Sequence, residues 1–233
     1  MIGIIGAMQL EVDEILALSD DYKEITIHGI KFYETTIKGI KVIVLLSGIG
    51  KTNAAISTTL LLDNYKVDLV LNIGTAGGLQ DYEKVLDVIV STKVAHYDVD
   101  VPNWPRGFNY DSKDSSISTP TLFEASSKHV DIITKFIGED SRVFTGPIAS
   151  GDQFIYREDQ YKKILEDFPE ALCAEMEGAA IAQVCDLFDV NFVIIRSLSD
   201  ITIAPSNELT FDEYAVKASK RSAKWVYDLV DKL

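Results

Sequence analysis

The sequence predicts an α/β fold: a three-layer αβα sandwich around a mixed, mainly parallel central sheet. Short apolar, β-branched runs alternate with stretches of helical apolar spacing along the whole chain. The strand-like runs are nearly continuous in apolar residues, the pattern of strands covered on both faces. No Pro-, Ser- or Gly-rich linker, repeat or low-complexity tract divides the 233 residues, of which 47% are hydrophobic. One domain over residues 1–233 is therefore expected.

Taken in order, Ile2–Ile5 is the first strand and Leu10–Leu18 the first helix. Glu24–Ile30 and Phe32–Ile37 read as a hairpin joined at Gly29-Ile30, followed by strand Lys41–Leu46 and helix Thr52–Leu62. Strands Leu69–Ile73 and Val85–Ser91 come next. Residues 97–121 then break the pattern with a polar stretch of Pro, Asn, Asp and Ser around Trp104, Phe108 and Tyr110. A long loop of this kind in a compact domain is a lid, an interface segment or disordered. Leu122–Ile137 reads as a helix, Val143–Ser150 as a strand, Gln160–Phe168 as a helix and Leu172–Ala174 as a strand. Helix Gly178–Phe188, strand Phe192–Ser197 and helix Phe211–Leu233 complete the chain. Apolar residues from Phe211 and Tyr214 through Val226 and Leu229 fall near helical spacing, so the last helix should pack across the sheet.

Ligands of such sheets bind beyond the carboxyl ends of the strands. That rule directs attention to Glu11, Thr75, Gln153-Phe154-Ile155, Glu175-Met176-Glu177 and Ser199-Asp200.

Composition narrows the chemistry. The net charge of −14, from 22 basic and 36 acidic residues, repels phosphate backbones and anionic lipid, so neither nucleic acid nor a membrane is an expected partner. Cys173 and Cys185 sit in apolar surroundings outside any Cys-x-x-Cys pair and read as core residues of a reducing compartment. The opening Met1-Ile2-Gly3-Ile4-Ile5-Gly6 lacks a basic signal-peptide region, and no apolar run reaches the length of a membrane span, so a cytoplasmic protein is expected. His28, His96 and His129 are scattered, read as surface or loop residues, and show no metal-ligand spacing. No metal and no cofactor are expected. Proton transfer must then rest mainly on carboxylates.

Several motifs fail. Gly50-Lys51-Thr52 lacks the earlier glycine of a P-loop, because position 45 is Leu45. Gly74-Thr75-Ala76-Gly77-Gly78 follows a strand without dinucleotide-binding spacing, and no Gly-x-Ser-x-Gly elbow is present.

Six segments do combine. They are Gly3-Ile4-Ile5-Gly6-Ala7-Met8-Gln9-Leu10-Glu11-Val12, Leu46-Ser47-Gly48-Ile49-Gly50-Lys51-Thr52-Asn53-Ala54-Ala55 and Asn72-Ile73-Gly74-Thr75-Ala76-Gly77-Gly78-Leu79. The later half adds Ala149-Ser150-Gly151-Asp152-Gln153-Phe154, Ala174-Glu175-Met176-Glu177-Gly178-Ala179-Ala180-Ile181-Ala182 and Ile195-Arg196-Ser197-Leu198-Ser199-Asp200. In this order and spacing they resemble the 5′-methylthioadenosine/S-adenosylhomocysteine nucleosidases of the purine nucleoside phosphorylase-like superfamily. The resemblance runs nearly end to end and fails mainly over Pro102–Thr119.

The reaction it implies, cleavage of the bond between ribose and adenine, develops positive charge on the sugar and negative charge on the base. The resemblance makes Asp200 the acid at adenine N7, steadied by Ser199. Desolvation at a strand end would keep that carboxyl protonated. It makes Glu11 the residue that orients and activates water; from the residues alone, Asp13 and Glu14 would serve equally. It gives Glu177 the ribose hydroxyls, kept ionised by a helix N-terminus. Met176 is placed against the sugar, Phe154 stacks on adenine, and the Ile155 backbone reads its amine edge. Thr75 stands where the family has Ser, Phe211 is a candidate wall of the 5′ pocket, Glu175 a candidate structural neighbour, and Arg196 an internal ion-pair partner.

Phosphorolysis would need cationic grips. Neither Leu71-Asn72-Ile73-Gly74 nor Ala7-Met8-Gln9-Leu10-Glu11 supplies an arginine, which favours water as the nucleophile. A phosphorylase of the same fold and a non-catalytic nucleoside-binding domain are the alternatives. The resemblance further implies a homodimer with the 97–121 loop near the partner subunit. The divergent Pro102-Asn103-Trp104-Pro105-Arg106-Gly107-Phe108 leaves the 5′ substituent open, with Trp104 and Phe108 either packing on it or anchoring the loop.

Overall fold

A computed structural model describes residues 1–111, 113–114, 120–203 and 211–233, and the side chains of all of these except 211–213. Among the described residues ten strands alternate with six helices: β1 (Ile2–Gly6), α1 (Gln9–Leu16), β2 (Lys23–Ile27), β3 (Ile30–Ile37), β4 (Ile40–Leu46), α2 (Lys51–Asn64), β5 (Leu69–Gly78) and β6 (Val88–His96). There follow β7 (Leu122–Glu124), α3 (Ser127–Ile137), β8 (Val143–Ser150), α4 (Glu158–Asp167), β9 (Cys173–Glu175), α5 (Gly178–Leu187), β10 (Asn191–Ile201) and α6 (Phe211–Leu229).

The continuous apolar runs follow from burial on both faces. In β1, Ile4 packs with Val12 and Ile15 of α1 and with Val226 and Leu229 of α6. Its neighbour Ile5 faces the other way, toward Ala54 and Leu61 of α2 and Ile181 and Cys185 of α5. Successive strand side chains point to opposite faces, so each face needs its own apolar set. The three layers are thus α1, α3 and α6, then the sheet, then α2 and α5.

The sheet is mixed, with a parallel centre β4-β1-β5-β10. Hairpins β2–β3 and β3–β4 extend one edge. Their two-residue turns have positive φ at both positions, 49° and 85° at His28-Gly29 and 48° and 81° at Lys38-Gly39, the backbone that matches strand twist. The first turn therefore falls one residue before the expected Gly29-Ile30. Beyond the parallel centre the sheet closes on itself. β10 pairs with β6, β6 with β8, β8 with β9, β9 with β5, and β5 with β10 again. This ring gathers the carboxyl-terminal parts of β5 and β10 around one hollow.

Some expected elements differ. Leu122–Ile137 is not one helix: Leu122–Glu124 pairs with β6 as a short strand, and the helix starts only at Ser127. β6 runs over Val88–His96 rather than Val85–Ser91, because residues 79–87 form a turn-rich connection. β5 and β10 continue to Gly78 and Ile201, so Thr75, Ser199 and Asp200 lie within strands rather than after them. Phe211 opens α6, and its side chain lies outside the described residues. His96 is buried, not superficial, and its Nε2 bonds Gln183 Oε1 at 3.1 Å. Cys173 and Cys185 are free and buried. Among the described residues no helix is long and apolar enough to cross a membrane.

Candidate active site

Each acidic side chain of the hollow is placed by a specific backbone feature. α1 begins at Gln9, and its exposed amides are met by the helix's own third residue. Glu11 Oε2 accepts N–H bonds from Ala7 at 2.7 Å and Met8 at 3.0 Å. Glu11 is only 1% exposed. Burial pushes its pKa up, while the Met8 and Ala7 amides and the Arg196 charge oppose the rise. Glycine backbone makes the space: a Cβ on Gly74 would stand 3.1 Å from Glu11 Oε1 and 3.3 Å from Arg196 Nη1.

Glu175 and Glu177, two residues apart, have opposite assignments. Glu175 accepts the Glu177 and Gly178 amides at the start of α5 and also bonds the Ser150 hydroxyl and Arg196. Arg196 is fully buried and also bonds Asn72. Glu177, the residue expected to be held ionised by the helix N-terminus, makes no side-chain cap there. Its Oε1 instead accepts the Gly50 N–H at 2.9 Å, while Arg196 Nη2 stands 3.9 Å from its Oε2. The helix amides are already taken by Glu175, so burial and the negative neighbour Glu175 push the Glu177 carboxyl up to about 7.

Asp200 owes its position to an irregularity. Along the β10–β5 ladder Leu198 pairs with Ala76 but Asp200 with Gly77, leaving Ser199 as an extra residue. Leu198 faces the core, and both Ser199 and Asp200 line the hollow. Ser199 Oγ donates to Asp200 Oδ1 at 2.7 Å, and Thr202 Oγ1 approaches Oδ2 at 3.4 Å. A Cβ on Gly77 would come within 3.2 Å of Asp200 Oδ2. Desolvation raises the Asp200 pKa against these hydroxyl donors.

The hollow holds about 110 Å³ of space open to a water-sized molecule. Of the sequence-predicted residues, Glu11, Thr75, Phe154, Ile155, Met176, Glu177, Ser199 and Asp200 all line it. Phe154 is 54% exposed at its mouth, whereas Ile155 is buried behind it. Sequence reasoning missed Ile49, which also lines the mouth at 57% exposed, and the Gly50 amide. The signal was available: Gly48-Ile49-Gly50 follows the carboxyl end of a strand, the place where ligands collect.

A family profile described as the Phosphorylase superfamily matches residues 1–231. A 5′-methylthioadenosine/S-adenosylhomocysteine nucleosidase of Shewanella pealeana is 42% identical over all of this chain and 99% of its own. The chain belongs to that nucleosidase family within the phosphorylase superfamily. Among solved structures, the Neisseria meningitidis nucleosidase in complex with methylthio-immucillin-A superposes with a TM-score of 0.89 at 33% identity, covering 100% of this chain and 99% of its own. A Helicobacter pylori aspartate-to-asparagine mutant with 5′-methylthioadenosine in the active site gives 0.88 at 31%, covering 100% and 98%.

Within this family member, none of the described residues of the divergent 97–121 loop lines the hollow. Phe108 is buried and packs edge-on against Phe168, with ring centroids 5.2 Å apart. Arg106 bridges Asp100 at 2.9 Å and Asp167 at 2.6 Å. Of the two roles open to Phe108, the structure gives it loop anchoring.

Proposed function

We propose that the chain hydrolyses the N-glycosidic bond of 5′-methylthioadenosine, S-adenosylhomocysteine and related 5′-modified adenosines, releasing adenine and the 5′-substituted ribose. One observation carries the reading: Glu11, Glu177 and Asp200 reach a single hollow whose mouth is walled by Phe154. Adenine stacks on Phe154, with its amine edge at the Ile155 backbone. Asp200, whose desolvation favours the protonated form, gives its proton to N7 as the C–N bond breaks and the electron pair leaves with the base. Water attacks the anomeric carbon and passes a proton to Glu11. Glu177 accepts the ribose hydroxyls, Met176 lies against the sugar, and Thr75 contacts the ligand. Phe211 is assigned to the 5′ wall on the resemblance alone.

Water rather than phosphate is supported by charge. Among the described residues lining the hollow Arg196 is the only cation, and it is engaged by Glu175 and Asn72. A second anion has no free grip there. Adenine release from 5′-methylthioadenosine should proceed at the same rate with and without phosphate. Formation of a ribose 1-phosphate only when phosphate is added would overturn the assignment. We further propose a cytoplasmic single-domain enzyme over residues 1–233, acting in methionine salvage as a homodimer whose 97–121 loop lies near the partner subunit.

A further inference from the structure

The Gly50 N–H reaches Glu177 only if the start of α2 is held against the sugar side of the hollow, and Gly50 cannot do this itself. It has φ +94° and ψ 159°, a region essentially confined to glycine, and as the N-cap of α2 it brings no side-chain acceptor. Lys51 at the start of α2, Asp98 after β6 and Asp152 after β8 supply the hold. Asp152 Oδ1 accepts the Lys51 N–H at 2.7 Å. Asp98 Oδ2 accepts the Asp152 N–H at 2.9 Å. The Lys51 ammonium closes the circuit on Asp98 Oδ1. Lys51 and Asp98 side chains are only 18% and 20% exposed, so solvent screens the pair weakly. A Cβ on Gly50 would stand 3.1 Å from Asp152 Oδ1, so Asp152 fills the space that a side chain at position 50 would need.

None of the three side chains lines the hollow, yet the circuit touches it twice. Lys51 follows the amide bonded to Glu177. Asp152 precedes Gln153, Phe154 and Ile155. We infer that Lys51, Asp98 and Asp152 form a positioning triangle that locks the sugar-gripping carboxylate to the base platform, so that ribose and adenine are held in one fixed relation. The inference rests on the reading of Glu177 as the ribose acceptor. Opening the triangle frees the Gly50 amide, and the loss should fall on the hydroxyl contacts.

The test compares 5′-methylthioadenosine with its 2′,3′-dideoxy analogue in the wild type, Glu177→Gln, Lys51→Met and Lys51→Arg. A hydrogen bond to a charged group sets the scale, so Lys51→Met should lower kcat/KM on the ribonucleoside about tenfold. On the dideoxy analogue it should change kcat/KM by less than about twofold, and Lys51→Arg should restore most of the loss. Asp98→Asn opens the same triangle from the other side and carries the test should Lys51→Met fold poorly. An equal loss on both substrates, or no loss on either, overturns the triangle while leaving Glu177 intact. If Glu177→Gln itself loses equally on both substrates, the ribose assignment has failed and the triangle with it.

Discussion

The floor and the mouth of the hollow are built on different principles. The floor is charged and buried: Glu11, Glu175 and Glu177 surround the fully buried Arg196, each carboxylate also holding backbone amides. The mouth is apolar and open, with Ile49 and Phe154 each more than half exposed, and Tyr156 beside Phe154 with ring centroids 6.4 Å apart. Fixed dipoles and charges cost no reorganisation when a transition state forms, whereas an exposed aromatic gains further contacts from what binds it. The floor is therefore finished before substrate arrives, and the mouth is completed by the substrate. Substitutions in the floor should strike turnover or folding, and substitutions at the mouth should strike affinity.

The largest effect expected is on turnover. Asp200→Asn should lower kcat about 10³-fold while equilibrium binding of 5′-methylthioadenosine changes less than about tenfold. A variant that loses binding and turnover alike would place Asp200 with the mouth. Arg196→Met leaves Glu175 buried and unpaired, and should cost about 3 kcal/mol of stability in urea unfolding. An unchanged midpoint would remove Arg196 from the floor's foundation. The third expectation is a pH profile. Glu177 must be ionised to accept hydroxyls, and its pKa is pushed up to about 7. Its charged form therefore dominates above that value, and kcat/KM should fall as the pH drops through about 7. Glu177→Gln should remove this limb. The smallest effect is at the mouth: Phe154→Ala should raise KM about fivefold to tenfold with kcat nearly unchanged, the scale of one aromatic stacked on a base.

The same division governs what was legible in the sequence. Alternation of apolar strands with helices gave the layers because each run is covered on both sides, as Ile4 and Ile5 illustrate. Leu122–Glu124 was absorbed into a helix because Leu122 and Phe123 suit either period and no breaker separates them from Ser127–Ile137. The ring through β10, β6, β8, β9 and β5 depends on pairings distant in sequence, which local pattern does not encode. Eight of the nine site residues could be named and lie together, but their relations could not be read. Glu175 and Glu177 flank one methionine, and only the folded backbone decides that the first takes the helix amides and the second takes Gly50. Phe108 had the composition of a ligand contact and the burial of a loop anchor.

The extra residue in β10 has its own consequence. A pleated strand offers every second side chain to a given side, and Arg196 is already offered to the hollow. Leu198 keeps that count, opposite Ala76, and joins Phe192 and Ile194 in the apolar core. One uncounted position after it sets hydroxyl and acid side by side at the hollow, where a strict count would send them to opposite faces. Loss of Ser199 would thus make the ladder regular and strip the acid of the hydroxyl that steadies it.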